Sequence, residues 1–459
     1  LCAPEDAGKQ SLRPVSRLSK KKPFVATATV LALAVLIAAM VWTQPWRPQI
    51  EAASMSRMAY SLPEKPSLAV MAFGNLSDEP DQGFFAEGLT EDIITDISKV
   101  SGIFVIAKGS TQPYSGKSVK VKRVAEDLGV RYVLSGSVRR SGDKLRITAQ
   151  LADAIKGVQV WADRYDREVK DVFAVQSEIT RQVVKALAVT LKANEHDRLF
   201  QKYITNIDAY EAFIRARAAV GAPTRSNIEQ GEKLFKRVIE LDPNFAGGYA
   251  GISFNYSVKA RFRYGDSPDN DARRALKFAQ KAIAADKEFA WSYIALAGAH
   301  LANGNHDAAV EAARRAVAIQ PNGYEANLFM GFYLNFAGHP AEAVKHLEAA
   351  NTLSRIDTIR GLDFLGMAYF TNGDYAKCEE TWTRRFYHLG VPSYPHAHIF
   401  LAGAQVMLNR TERAEATVKR FRRMSPEFRL SSWSWIKNYK LPEHRKRLYD
   451  AAIKAGILE

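Results

Sequence analysis

Cysteine is almost missing from this chain of 459 residues: only Cys2 and Cys378 occur. Two thiols so far apart in sequence exclude a disulfide framework, a CxxC zinc site and a thioredoxin-like pair. Cys378 stands where a repeating pattern calls for a small residue, so it is expected to be a core packer. Catalytic signatures are equally scarce. No GxSxG elbow, HExxH helix or dinucleotide-binding glycine fingerprint is present. Tyr114-Ser115-Gly116-Lys117-Ser118 ends like a phosphate loop, but Thr111 stands where its first glycine belongs and Gly109 comes two residues early. His388, His396 and His398 have no carboxylate or cysteine at matching ligand spacing. No catalytic, cofactor-binding or metal residue is therefore assigned, and no cofactor is expected.

Acidic residues are in deficit, 49 against 64 Lys and Arg, which leaves a net charge of +15. The excess lies near the ends: residues 1–60 hold 8 basic and 3 acidic side chains, residues 400–459 hold 13 and 6, and residues 61–195 are nearly balanced at 19 and 18. The first excess is explained below by a membrane. The second is expected to be a solvated or lipid-facing surface, with no nucleic acid partner.

Long apolar runs are also rare, and the one that exists is informative. Phe24 to Trp42 is 19 residues without a charge, which at about 1.5 Å per residue crosses most of a roughly 30 Å hydrocarbon layer. A transmembrane helix is expected over 23–46, after a basic linker at 1–22 and before a second linker at 47–65. Arg13, Arg17, Lys20, Lys21 and Lys22 precede the run and only Arg47 and Arg57 follow closely, so the amino terminus is expected in the cytoplasm and the chain after Gln49 outside it. The competing reading is a signal peptide cut near Ala52 or Ala53, for which the run is long. The opening on Leu1 leaves room for an amino-terminal portion ahead of it.

After Pro63 and Pro66 the pattern turns to short strands and helices. Ser67–Phe73 and Ile103–Ala107 read as buried strands, and Phe84–Val100 sets Phe85, Leu89, Ile93, Ile97 and Val100 at helical spacing. Val121–Leu128 reads as a helix ended by Gly129. Tyr132–Arg140 and Lys144–Asp153 alternate faces around Ser141-Gly142-Asp143, a hairpin signal. Val158–Tyr165 supplies another strand and Val172–Leu191 an amphipathic helix. The order argues for a mixed sheet covered by helices over 66–195.

From Leu296 to Pro426 the chain repeats. Ala309, Ala343, Cys378 and Ala414 occupy one register, Gly304, Gly338, Gly373 and Asn409 another, spaced by 34, 35 and 36 residues. A period of that size marks a helical solenoid. Tyr293, Leu296, Ala297, Ala316 and Pro321, then Met330, Gly331 and Ala350, then Leu365, Gly366, Tyr369 and Trp382, resemble the tetratricopeptide pattern. Leu241-Asp242-Pro243-Asn244 closes an earlier degenerate repeat. Pro243 to Pro321 exceeds two periods by ten residues, and a loop inserted at Arg261–Asn270 is expected to hold the surplus. The repeats are expected over 205–440, with a polar capping helix over 441–459.

A wider resemblance rests on PSLAVMAFGNLSDEPDQGFFAEGLTEDIITDIS (Pro66–Ser98), LGVRYVLSGSVRRSGDKLRITAQLADA (Leu128–Ala154) and WADRYDREVKDVFAVQSEIT (Trp161–Thr180). These resemble the TolB amino-terminal-like domain, which recurs with tetratricopeptide repeats in bacterial class III adenylate cyclase-type membrane signalling proteins. The resemblance covers roughly 65–459 and implies a single-pass protein of the bacterial cytoplasmic membrane with its bulk in the periplasm. It implies an α+β chain: one membrane helix, a small mixed-sheet domain and an all-α solenoid. Residues 1–22 are too few to hold a cyclase. In this repeat family the A helices line a concave groove, which carries over to Phe254, Leu328, Phe332, Asn335, Phe336, Met367, Phe370, His396 and Met407. An apolar or peptide ligand, or the chain's own segment, is expected there. The function implied is a membrane-anchored extracytoplasmic sensor with a protein or peptide partner and a second copy of itself. Alternatives are the sensor half of a winged-helix regulator and an envelope assembly scaffold.

Overall fold

A computed structural model describes residues 50–77, 83–117, 119–192, 195, 206–221, 224–390 and 395–458. The chain divides into two compact units, 1–48 and 49–459, and the described residues belong to the second. The expected membrane span at 23–46 lies outside the described residues. Among those that are described, no helix is long and apolar enough to cross a membrane.

Among the described residues, six strands form one mixed sheet: β1 (Ser67–Val70), β2 (Gly74–Asn75), β3 (Phe104–Val105), β4 (Tyr132–Ser141), β5 (Lys144–Asp153) and β6 (Val158–Glu168). Their order is β3-β1-β4-β5-β6, with β2 paired to β4 beyond the end of β1. β1 pairs parallel with both neighbours, while β4, β5 and β6 are antiparallel. Every residue of β1 is buried, as the apolar run Leu68–Val70 requires of a strand covered on both faces, and the buried Ser67 hydroxyl accepts from Arg131 N–H at 3.0 Å. On one face lie α1 (Gly83–Ser98) and α3 (Val172–Ala186), packing Phe85, Leu89, Ile93, Ile179 and Val183 on Leu68, Val70, Leu134 and Ile147. On the other lies α2 (Val121–Leu128), with Val124, Ala125 and Leu128 on Ala69, Ile106 and Val133. Gly129 ends α2 at φ 61° and its N–H bonds Ala125 O, the left-handed cap that only glycine adopts cheaply. The β4–β5 hairpin turns at Gly142-Asp143, with Gly142 at φ 59°.

Among the described residues, twelve helices follow in antiparallel pairs: α4 (Ile207–Ala219) with α5 (Arg225–Leu241), α6 (Ala246–Phe262) with α7 (Pro268–Ala285), α8 (Ala290–Ala302) with α9 (His306–Ile319), α10 (Tyr324–Ala337) with α11 (Pro340–Ser354), α12 (Ile359–Asn372) with α13 (Tyr375–Leu389), and α14 (Pro395–Met407) with α15 (Thr411–Met424). α16 (Pro442–Lys454) packs on α14. The two repeating registers have distinct physical causes. Gly304, Gly338, Gly373 and Asn409 each sit just past an A helix with φ of 75°, 96°, 89° and 57°, the conformation that reverses the chain. Ala309, Ala343, Cys378 and Ala414 are each the fourth residue of a B helix and are buried. Close approach also explains Gly331 and Gly366: a Cβ there would stand 2.4 Å from Leu347 Cγ and 2.5 Å from Trp382 Nε1.

The expected insertion at Arg261–Asn270 takes another form. α6 continues to Phe262 and α7 already begins at Pro268, capped by the Ser267 hydroxyl on Asn270 N–H. Most of the surplus therefore lengthens two helices, of 17 and 18 residues, and the rest sits in the turn 263–267, which passes through left-handed Arg263.

Candidate functional site

Beyond α15 the chain turns back along the inner face of the solenoid. Two 3₁₀ turns, Leu430–Ser432 and Ser434–Asn438, carry Trp433, Trp435 and Tyr439 onto the A helices. The Trp435 ring lies 5.0 Å from that of Phe336 and stacks 5.2 Å from His396. Trp433 stacks on Trp435 at 5.7 Å, and Tyr439 lies 4.8 Å from Phe336. Polar contacts fix the register. Lys440 N–H donates to Phe336 O at 2.8 Å, Asn335 Nδ2 to the Tyr439 hydroxyl at 3.4 Å, and Arg447 to Thr371 O at 3.0 Å. His306 Nε2 meets Asn438 O at 2.8 Å, and Lys440 pairs with Asp307. Burial pushes the Tyr439 hydroxyl up to about 12, against the bonds it makes with Thr371 and Asn335.

Of the nine expected groove residues, Phe332, Asn335, Phe336 and His396 meet around this segment. Phe254 packs instead on Trp291 and Phe329, and Phe370 on Tyr375 and Phe400. Leu328 and Met367 are buried, and Met407 is 40% exposed. Of the two occupants expected, a ligand or the chain itself, the chain itself is present. Trp433, Trp435 and Tyr439 were not singled out in the sequence; the aromatic density of Trp433-Ser434-Trp435 beyond the last repeat was the available signal. Arg261 and Arg360 were missed as well. Arg261 lies 5.4 Å over Phe332, and Arg360 lies 6.0 Å over Phe329 while donating to Val220 O and Gly221 O. Burial pulls both guanidinium groups below their ordinary range.

A second site lies where the sheet domain meets the solenoid. Asn322 Nδ2 donates to Val100 O at 2.7 Å, Ala107 N–H to Leu353 O at 2.9 Å, and the Tyr60 hydroxyl to Arg355 O at 2.6 Å. Between these contacts is a cavity of about 300 Å³ lined by Glu91, Lys108, Arg217, Asn322, Tyr324 and Glu325, among others. Arg217 bridges Glu91 and Glu325, each at 2.9 Å, and Lys108 reaches Glu91 at 3.2 Å. Burial alone would raise the Glu91 carboxyl, but Arg217 and Lys108 hold it below its usual value. This network was not legible beforehand, because Arg217 is more than 100 residues from both Glu91 and Glu325 and only the packed fold brings the three together.

Asp92 lies beside this network and accepts a 2.6 Å bond from the Tyr210 hydroxyl. Burial, with Asp96 and Glu91 nearby, raises its carboxyl to about 7 despite that bond. A carboxyl raised on folding contributes most stability below its unfolded value, and this is lost as pH climbs towards the folded one. Asp92→Asn is therefore expected to match the parent near pH 4 and to exceed it by up to about 4 kcal/mol above pH 7, since one pKa unit is about 1.4 kcal/mol. Melting temperatures of both proteins from pH 4 to 8 check this; parallel curves would contradict it.

Comparison with known proteins agrees with the solenoid. Residues 292–322 and 395–420 each match the tetratricopeptide repeat family. A relative from Rhizobium meliloti (strain 1021), described as putative adenylate cyclase 3, is 43% identical over 251 residues, 54% of this chain and 42% of the relative. The match thus spans less than half of that relative's length. Among solved structures, PilF of Pseudomonas aeruginosa is 15% identical with a TM-score of 0.36, covering 50% of this chain and 97% of that one. The Cut9 and Hcn1 assembly of the APC/C is 14% identical at 0.39, covering 62% and 50%. The chain carries tetratricopeptide repeats, a protein-interaction fold.

Proposed function

We propose that this chain is the extracytoplasmic, partner-binding half of an adenylate cyclase-type membrane signalling protein, held by a span at 23–46. One observation carries the reading: the 43% identity over 251 residues to a protein described as an adenylate cyclase. The sheet domain, in this reading a TolB amino-terminal-like domain, and the repeats form a regulatory region whose partner is a protein or peptide. A continuous apolar core joins them, from Leu68 in β1 to Ile457 past α16. Binding at either part is then felt by the other, and the segment 433–440 competes with any ligand of the inner face. Signal passes inward as a change in how two copies are arranged.

The test has two arms. A reporter enzyme active only outside the cytoplasm, fused after Glu459, is expected to be active; activity of a cytoplasm-only reporter at that position sinks the placement. Residues 50–459 are expected to make no cyclic nucleotide from ATP or GTP with Mg²⁺ or Mn²⁺. The fragment starts at 50 because Ala53 is buried and Tyr60 bonds Arg355. Cyclic nucleotide above a mock purification would move catalysis into this region.

A further inference from the structure

The sheet ends on β6, and among the described residues no strand pairs with its outer edge. Eleven residues of extended backbone are thereby left with one unpaired side. Proteins usually blunt such an edge by keeping it short, or with proline, bulges or repelling charges. β6 is long, has no proline, and has its only irregularity opposite Leu151 and Ala152, away from its charged end. Its charges alternate in sign: Asp163, Arg164, Tyr165, Asp166, Arg167.

We propose that β6 pairs antiparallel with β6 of a second copy, about a two-fold axis passing between the two Tyr165 residues. An axis perpendicular to a sheet must sit between two copies of one residue, because side chains alternate faces with a period of two. Centred on Tyr165, each residue k places before it opposes the residue k places after it in the other chain. Arg164 then faces Asp166 and Asp163 faces Arg167, each twice. Neighbouring registers lose this match. A centre on Asp163 or Asp166 opposes two aspartates, a centre on Arg167 opposes two arginines and sets Asp166 against Glu168, and a centre on Arg164 pairs no opposite charges.

The edge is prepared for this register. The Arg164 N–H is donated to the Asp163 side chain at 2.7 Å rather than to a strand, so pairing would transfer it to the Asp166 carbonyl of the second copy and release Asp163 for Arg167. Arg164 and Asp166 pair with each other within the chain at 3.4 Å, with side chains 63% and 50% exposed, and pairing of two copies would exchange that contact for the same one across the interface. Asp166 already pairs with Arg146 of β5 at 2.5 Å, so Arg164 of the second copy would continue the same row across the interface. Tyr165 is turned into the core, which keeps the centre of the interface flat. Ladder bonds supply the attraction and the charges select partner and register, so the dimer weakens with salt. The surface follows from the sheet alone; it also supplies the second copy that the cyclase-type reading requires.

The test uses the full chain in a non-ionic detergent, with protein mass measured by light scattering. The parent is expected at twice the chain mass in low salt, falling towards one chain as salt rises. Asp163→Arg sets four arginines together and Arg167→Glu sets four carboxylates together, so each alone is expected at the mass of one chain. An equimolar mixture of the two, and the double variant D163R/R167E, are expected to return to two chains. All these positions are exposed, and recovery in the mixture shows that both variants fold. A parent of one-chain mass at every salt concentration overturns the proposal. So does a dimer that persists in each single variant, or a mixture that stays monomeric.

Discussion

Trp435→Ala is expected to cost about 3–5 kcal/mol, the usual price of truncating a buried large aromatic. Only 7% of Trp435 is exposed, and its ring touches Phe336, His396, Phe400, Trp433 and Tyr439, so the loss removes the hub of the groove. Phe336→Ala, at a fully buried position, is expected to cost a similar amount, and the double variant less than the sum because the two share one contact. Denaturant unfolding of the parent, both singles and the double measures this directly. A change below about 1 kcal/mol in either single would show that the segment rests loosely on the inner face, and limited proteolysis at 426–441 would then be fast.

Arg217→Ala is expected to weaken the domain junction, through charge rather than volume. It removes the cation shared by Glu91 and Glu325 and leaves two carboxylates facing a half-buried cavity. Breaking such a bridge from one side costs about 3–5 kcal/mol when fully buried; with the guanidinium 21% exposed, about 2–3 kcal/mol is expected. The triple variant E91Q/R217M/E325Q should recover most of that, because it removes the charges together. Hydrogen exchange at Asn322 and Ala107, whose bonds cross the junction, reports where the loss falls. Unchanged exchange at both in Arg217→Ala would refute a role in holding the domains together.

The parts of this fold legible in the sequence were those set by neighbours along the chain. The glycines at 304, 338 and 373 announce helix ends because the left-handed backbone is a local demand. The β4–β5 hairpin was legible for the same reason at Gly142. Elements that depend on distant partners were less so. β3 shrinks to Phe104–Val105 because β1 offers it only two partners, and β2 forms only because β4 runs past the end of β1. The groove residues show the division most sharply. Phe332 and Phe336, four residues apart on α10, have rings 4.8 Å apart as helical spacing implies, yet no local pattern says that Trp435, about a hundred residues on, lies against Phe336.

The sequence by itself determined a repeat of about 34 residues, the small side chains that let paired helices approach, the left-handed turns between them and the alternation of a half-covered sheet. Each of these is a rule of backbone geometry or side-chain volume that acts within a few residues. Only the tertiary structure decided that the inner face is filled by 433–440, that most of the ten surplus residues lengthen two helices, and that Glu91, Arg217 and Glu325 share one cavity. Those outcomes depend on which apolar surfaces and charges meet across long stretches of chain, and burial sets them only once the whole core has assembled.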